Sequence, residues 1–407
     1  MNKDWEVKKL GEVCSFENGD RGTNYPSRSK RTVKGIPFIN AGHLINNGID
    51  IDNLSYISKK RFNLLGSGKI RSGDVLFCLR GSLGKFACVG NLSEGAIASS
   101  LVIVRPNGSI IDKFLTAYFQ SQLCANMISL FRNGAAQPNL SAGSLGKFEI
   151  PLPPFPTQKR IVAILDEAFS AIAKAKEYAE RNLQNTRELY ESYLQSVFAN
   201  PGDNWEEKNL GEISIIKGGK RVPKGYRLVT ERTNHPYIRV TDFNNYGSVD
   251  LDDIHYINDK IFKQIQNYTI SVNDLYISIA GTIGKTGIIP KELDGANLTE
   301  NACRLVFVQN IDTRLIYYFT KSSLFLDQAG LNTRVTAMPK LALSRLSTIK
   351  INIPKSISEQ KSIVAKLDTL SAETKNLEAI YQQKLADLDE LKKSILQKAF
   401  SGELTEE

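Results

Sequence analysis

The chain has 407 residues, 42% hydrophobic and 23% charged, a length that suits two to four domains and a balance that suits a globular protein with a core. No stretch approaches the roughly 18 apolar residues of a membrane span. The start, Met1-Asn-Lys-Asp-Trp-Glu, has no apolar run behind its charge, so a cytoplasmic chain without a secretory leader is expected. Lys and Arg number 52 against 43 Asp and Glu, a formal charge of +9. That excess does not by itself make a nucleic-acid binder; where it lies decides.

Five cysteines (Cys14, Cys78, Cys88, Cys124, Cys303) form no C-x-x-C pair, and three histidines (His43, His235, His255) are scattered. Buried free thiols are expected, with no disulfide framework and no metal site.

Along the chain, segments return. Trp5-Glu-Val-Lys-Lys-Leu-Gly-Glu-Val13 recurs as Trp205-Glu-Glu-Lys-Asn-Leu-Gly-Glu-Ile213. Asp74-Val-Leu-Phe-Cys-Leu-Arg-Gly-Ser-Leu-Gly-Lys85 recurs as Asp274-Leu-Tyr-Ile-Ser-Ile-Ala-Gly-Thr-Ile-Gly-Lys285. Ile150-Pro-Leu-Pro-Pro-Phe-Pro-Thr-Gln-Lys-Arg-Ile-Val162 returns as Asn352-Ile-Pro-Lys-Ser-Ile-Ser-Glu-Gln-Lys-Ser-Ile-Val364, and Leu194-Gln-Ser-Val-Phe198 as Leu396-Gln-Lys-Ala-Phe400. Four matches in the same order describe a tandem duplication.

Each half opens with a globular part, residues 1–156 and 200–356. Apolar runs such as 75–79 and 98–104, or 275–279 and 304–308, are bounded there by Gly, Asn and Pro and read as strands with a few helices. Prolines then punctuate the chain, and neither half has a proline or glycine for about forty residues afterwards. The spacing predicts long helices over 157–199 and 357–402, each about 60 Å at 1.5 Å per residue, followed by an acidic tail, 403–407.

Apolar residues follow three-and-four spacing with a four-plus-four step at Ala175/Ala179/Leu183 and at Leu377/Tyr381/Leu385. This reads as a coiled-coil seam with a shared stutter. Ile161, Leu165, Ile172, Leu183, Ile363, Leu367, Leu388 and Ile395 are its candidate interface residues. Connectivity makes the pair antiparallel, with the Ala-rich start of the first helix facing Leu388, Leu391 and Ile395. The fold class expected is mixed α+β: two similar α/β domains held apart, dumbbell-like, by paired antiparallel helices with pseudo-two-fold symmetry.

Both helices carry as many basic as acidic residues, so the positive excess sits on the globular parts, more on the first. It clusters in turn-rich stretches: Arg21, Arg28, Lys30, Arg31 and Lys34 in one, and Lys217, Lys220, Arg221, Lys224 and Arg232 at the corresponding place in the other. Arg and Lys among Asn, Ser, Thr and Tyr suit phosphate and base-edge contacts. Any one of these loops alone would read as solvated surface; the matched pair favours DNA.

Apparent catalytic motifs dissolve. Gly281-Thr-Ile-Gly-Lys-Thr286 lacks the first glycine of a phosphate loop, because Ile279 stands there, and it reads as a glycine turn between strands. No amino-methyltransferase motif, nuclease motif or nucleophile elbow is present, and a non-catalytic chain is expected.

Duplicated parts that begin Trp-x-x-x-x-Leu-Gly-Glu, carry a Gly-[Ser/Thr]-[Leu/Ile]-Gly turn and leave through Pro154-Phe-Pro-Thr-Gln-Lys-Arg-Ile-Val-Ala-Ile-Leu-Asp166 or Lys355-Ser-Ile-Ser-Glu-Gln-Lys-Ser-Ile-Val-Ala-Lys-Leu-Asp368 form a pattern. Across essentially its whole length the chain resembles the DNA-specificity subunit of type I restriction–modification systems. Thr157 stands where that family usually has the Glu kept at Glu359.

The resemblance implies two target-recognition domains, each reading one half of a bipartite, asymmetric double-stranded DNA target, with the helices setting the gap. It implies two modification (methyltransferase) subunits and restriction (translocase–nuclease) subunits as partners, and no membrane. S-adenosylmethionine, ATP and magnesium would belong to those partners, with no cofactor on this chain. Carried onto this sequence, the candidate DNA-binding residues are Arg21, Arg28, Lys30, Arg31, Arg80, Ser82, Arg132, Asn133 and Gln137 in the first domain. In the second they are Lys217, Lys220, Arg221, Lys224, Arg239, Thr241, Thr282 and Arg334. A specificity module for a fused methyltransferase–nuclease of the type IIB or IIG kind would share these features. A protein-interaction scaffold with no DNA role is the alternative from another class.

Overall fold

The computed structural model describes residues 5–134, 138–308, 310–331 and 340–405. The chain forms two compact units, Met1–Glu180 with Gln383–Glu407, and Arg181–Gln382.

In the first unit, Leu101–Pro106 lies between Cys14–Asn18 and Val75–Cys78 in a four-stranded antiparallel sheet closed by Phe86–Cys88. Its central strands are covered on both faces, which is why they read as unbroken apolar runs. Phe77, Val102 and Val104 face one core with Phe114, Leu115 and Phe148, while Leu76, Cys78 and Ile103 face another with Ile39 and Leu44. A smaller sheet joins Ser55–Ile57, Ile36–Ile39 and Ala96–Ile97, the last pairing parallel. The expected run 98–104 becomes a strand only from Leu101, because residues 98–100 connect the small sheet, left at Ile97, to the large one.

The second unit repeats this plan. Its four strands are Ser214–Gly218, Ala302–Phe307, Leu275–Ser278 and Thr286–Gly287, and its smaller sheet is His255–Tyr256, Pro236–Ile238 and Asn297–Leu298. In each unit a strand after the opening tryptophan pairs antiparallel with the strand that leads into a long helix, Glu6–Lys9 with Glu149–Leu152 and Trp205–Asn209 with Lys350–Pro354.

The repeated motifs have structural causes. Leu10 and Leu210 are fully buried. A Cβ on Gly11 would lie 3.1 Å from Gly146 O, and one on Gly211 would lie 3.0 Å from Ser347 O. Glu12 and Glu212 fold back to accept from the backbone N–H of Lys9 (2.5 Å) and Asn209 (2.6 Å), satisfying a donor at the head of a short helical turn.

The motif glutamines clamp the helix starts. Buried Gln158 donates to Pro153 O (3.0 Å) and Ser109 O (3.1 Å) and accepts from Ile111 N (2.9 Å). Gln360 likewise donates to Pro354 O (2.9 Å) and Asn310 O (3.1 Å) and accepts from Asp312 N (2.8 Å). The difference between Thr157 and Glu359 also has a local meaning, because Glu359 accepts from Trp205 Nε1 at 2.8 Å.

The long helices are Phe155–Ala199 and Ile357–Ser401, 45 residues each. The first starts two residues earlier than the spacing predicts, with Pro156 in its first turn, where a missing N–H costs nothing. Within the first unit, Lys392 Nζ lies 4.7 Å over Phe169 and Lys176 pairs with Asp389. Within the second, Arg187 Nε donates to Glu378 at 2.7 Å. Tyr190 also bonds Ser371 in that unit; in each unit one residue number rises as its partner's falls, so the two helices pack antiparallel.

Of the candidate seam, Ile161, Leu165, Ile172 and Leu367 are buried and Leu183, Ile363, Leu388 and Ile395 half-buried. Ile161 and Leu165 belong to the first unit's sheet-and-helix core and Leu367 to the second's, so these are anchors to the domains as much as seam positions. Leu377 and Leu391, expected in the seam, are 42% and 47% exposed. Contacts across the pair come instead from the neighbours in sequence, Lys392 over Phe169 and Glu378 with Arg187, which three-and-four spacing does not foresee. Leu396 and Phe400, and in the other unit Leu194 and Phe198, are buried in the domain cores. Four cysteines are buried free thiols, as expected, but Cys88, at the edge-strand end, is exposed.

Candidate nucleic-acid interface

In the first unit the chain leaves its edge strand through Gly19, where a Cβ would sit 2.6 Å from Ala98 O. Only glycine allows so close a backbone approach. Arg21 follows, exposed, with Nη2 donating to Ser99 O at 3.2 Å. Arg28 and Lys30 are exposed on the turn Arg28–Lys30. Arg31 differs: it is half-buried, with its guanidinium 5.2 Å over Phe38, which ties it to the framework.

A second group comes together from three places in the sequence. Leu140 N donates to Leu79 O, and Asn133 and Asn139 exchange two backbone hydrogen bonds, all at 2.9 Å. Arg80 and Asn133 therefore both bridge to Asn139 in a short ribbon. Beside it runs the Gly81–Gly84 turn, whose glycines have φ of +79° and +85°, values that side-chain-bearing residues avoid. Gly84 rests on Ile128. Arg80, Ser82, Arg132 and Asn133 are all exposed along this edge. Gln137 lies outside the described residues.

The second unit uses the same frame with other side chains. Gly219 stands at the place of Gly19, and its Cβ would collide with Thr299 O. Arg221 stands at the place of Arg21. Its Nε donates to Glu300 Oε1 at 2.6 Å, with the arginine side chain 78% and the carboxylate 24% exposed. Burial pushes the Glu300 carboxyl up, but the hydrogen bonds from Arg221, its own N–H and Thr299 bring it below the usual carboxylate range. Lys220 lies 5.6 Å over Tyr268, and Lys217 and Lys224 are exposed.

Arg239 is occupied. It grips Asp242 at 2.7 Å, with that carboxylate 3% exposed, and reaches Asp253 at 3.0 Å. Its first duty is to hold the turn Val240–Asp242. Even so, Arg221, Arg239 and Thr241 line one cavity of about 550 Å³ together with Tyr226, Glu300 and Asn301. The turn carrying exposed Thr282 springs from this rim, because Ile279 N and Ala280 N both donate to Asn301 O. Arg334 lies outside the described residues.

Sequence reasoning missed Glu300, Asn301 and Lys340, whose Nζ donates to Glu300 O at 3.0 Å. No spacing rule brings residues 221, 300 and 340 together; only the sheet order does. Among the described residues, no cluster of His, Cys, Asp and Glu could hold a metal, and no helix is long and apolar enough to cross a membrane.

The chain matches the family model of the type I restriction modification DNA specificity domain twice, over residues 2–180 and 202–385. It is 25% identical to the EcoBI specificity subunit of Escherichia coli over 72% of this chain and 67% of that one. It is 24% identical to the EcoKI specificity subunit of E. coli K12, covering 91% and 82%, and 23% identical to a putative type I specificity subunit (MjaX) of Methanocaldococcus jannaschii, covering 99% and 94%. Its fold matches a chain from a type I restriction–modification system with a TM-score of 0.82 at 21% identity, covering 99% of both chains. It also matches the HsdS subunit of Thermoanaerobacter tengcongensis with a TM-score of 0.63 at 20% identity, covering 99% and 98%. With two copies of that domain spanning most of its length, the chain belongs to the family of type I restriction–modification DNA-specificity subunits.

Proposed function

We propose that each unit reads one half of an asymmetric, bipartite DNA target, and that the long helices fix the gap between the halves. One observation carries this reading: equivalent turns on a shared frame present different side chains. Arg80 is replaced by Ala280, Ser82 by Thr282, Asn40 by Arg239 and Ser99 by Glu300. Identical frames with unlike polar edges suit two unlike half-sites. Exposed Arg and Lys would fix register on phosphates, while a few Arg, Asn and Thr side chains read base edges, each bidentate pair giving about 1–3 kcal/mol of discrimination.

The chain itself catalyses nothing in this reading. Two modification subunits and the restriction subunits supply the chemistry, with S-adenosylmethionine, ATP and magnesium bound to them. The unbroken helices support the spacing role, since each gives its first part to one compact unit and its last to the other.

Methylation mapping of DNA exposed to the chain with its modification subunits tests the proposal. Two dissimilar half-sites at a fixed gap are expected, with binding that weakens steeply with salt. Shortening both helices by about one turn should alter the gap and keep both half-sites. Sequence-independent binding, or half-sites that change with helix length, would refute it.

A further inference from the structure

The two entry arginines stand at the same place on the same frame but are held differently. Among the described residues Arg21 hydrogen-bonds only a neutral backbone oxygen, Ser99 O, whereas Arg221 is held by the carboxylate of Glu300, the residue equivalent to Ser99. Glu300 is in turn fixed. Its Oε2 accepts from Thr299 Oγ1 at 3.0 Å, and its backbone oxygen accepts from Lys340. A carboxylate on a surface meant for a polyanion repels phosphate, so it needs a compensating use. The geometry supplies one. With Nε tied back and the side chain 78% exposed, the two-pronged Nη end of the guanidinium has no hydrogen-bond partner among the described residues and stays open to solvent. A planar fork free at that end matches the O6/N7 edge of guanine, and the tether at Nε lowers the entropy lost on contact.

We propose that Glu300 is a positioning residue that presets Arg221 to read guanine in the second half-site, while Arg21, without such a buttress, contacts DNA with weaker base preference. This rests on the DNA-reading proposal above.

The test uses the full chain with its modification subunits and combines methylation mapping with duplex binding. Arg221→Lys, which keeps the charge and removes the fork, should cost roughly ten- to hundred-fold in preference at one G·C pair of the second half-site. Glu300→Ala should move two readouts in opposite directions. Preference at that same pair falls several-fold, while affinity for unrelated duplex rises because a negative charge has left the surface. A merely structural role would lower both together. Ser99→Glu, which builds the same buttress beside Arg21, should sharpen one position of the first half-site.

A second half-site without a G·C pair would overturn the inference, as would unchanged preferences in Glu300→Ala or parallel loss of both affinities. A wild-type chain with no sequence preference at all would instead overturn the underlying proposal, and the two failures are distinguishable.

Discussion

The framework of the first unit and that of the second can be laid residue on residue: Trp5 on Trp205, Glu12 on Glu212, Gln158 on Gln360, Gly19 on Gly219. The turns that project from them also align, but their exposed side chains differ. At the kept glutamines, glutamates and glycines, the side chain, or the lack of one, meets backbone: a glutamine spans three main-chain groups, a glutamate satisfies a single N–H, and a glycine admits a neighbouring carbonyl. At Arg80 and Ala280, where identity is lost, the frame does not depend on the side chain. Backbone contacts constrain a duplicated chain more tightly than its exposed chemistry does.

The comparison can be broken first at the shared clamps. Gln158→Ala and Gln360→Ala each strand buried donors and acceptors, and each should destabilise by about 2–5 kcal/mol, read by denaturant unfolding. Near-equal losses would show that the two clamps do the same work; a large loss in one alone would show that the units have diverged beneath the surface.

The next effect should separate the units. Arg105 holds Asp74, which is 2% exposed, with two prongs at 2.7 and 2.8 Å, whereas Arg304 stands 3.7 Å from Asp274. Arg105→Ala should cost about 3 kcal/mol, because it leaves a buried carboxylate without its partner. Arg304→Ala should cost clearly less in the same unfolding measurement.

The smallest stability effect concerns one matched position, Gln120 in the first unit and Lys321 in the second. Burial pulls the Lys321 ammonium down to about 8 from its ordinary value of 10.5. Below pH 8 both the folded and unfolded chains hold the proton, and the burial penalty is fully present. Between about 8 and 10.5 the unfolded chain holds it more, so this group's contribution to stability improves as pH rises. Lys321→Gln, which installs the first unit's residue, should therefore stabilise by about 1–3 kcal/mol at pH 7, with the gain shrinking above pH 8 in thermal melts.

Much of this architecture is legible in the sequence because it depends on local pattern. The repeat, the strand runs and the two long helices follow from periodicity and punctuation. The seam is less legible: Leu377 and Leu391 fit three-and-four spacing yet are exposed, while their charged neighbours Glu378 and Lys392 make contacts across the helix pair. At the candidate interface, composition finds Arg21, Arg80 and Arg221. It cannot tell that Arg239 is taken up by Asp242 and Asp253, or that Glu300 lies under Arg221, since both depend on which strands become neighbours. The ribbon joining Arg80, Asn133 and Asn139 likewise exists only in the fold.

Separate reading by the two units is tested most directly by replacing Arg80 and Asn133 together with alanine and mapping methylation by the assembled enzyme. The account predicts that one half of the target loses base preference while the other half and the gap stay as they were. Disturbance of both halves, or of neither, would contradict it.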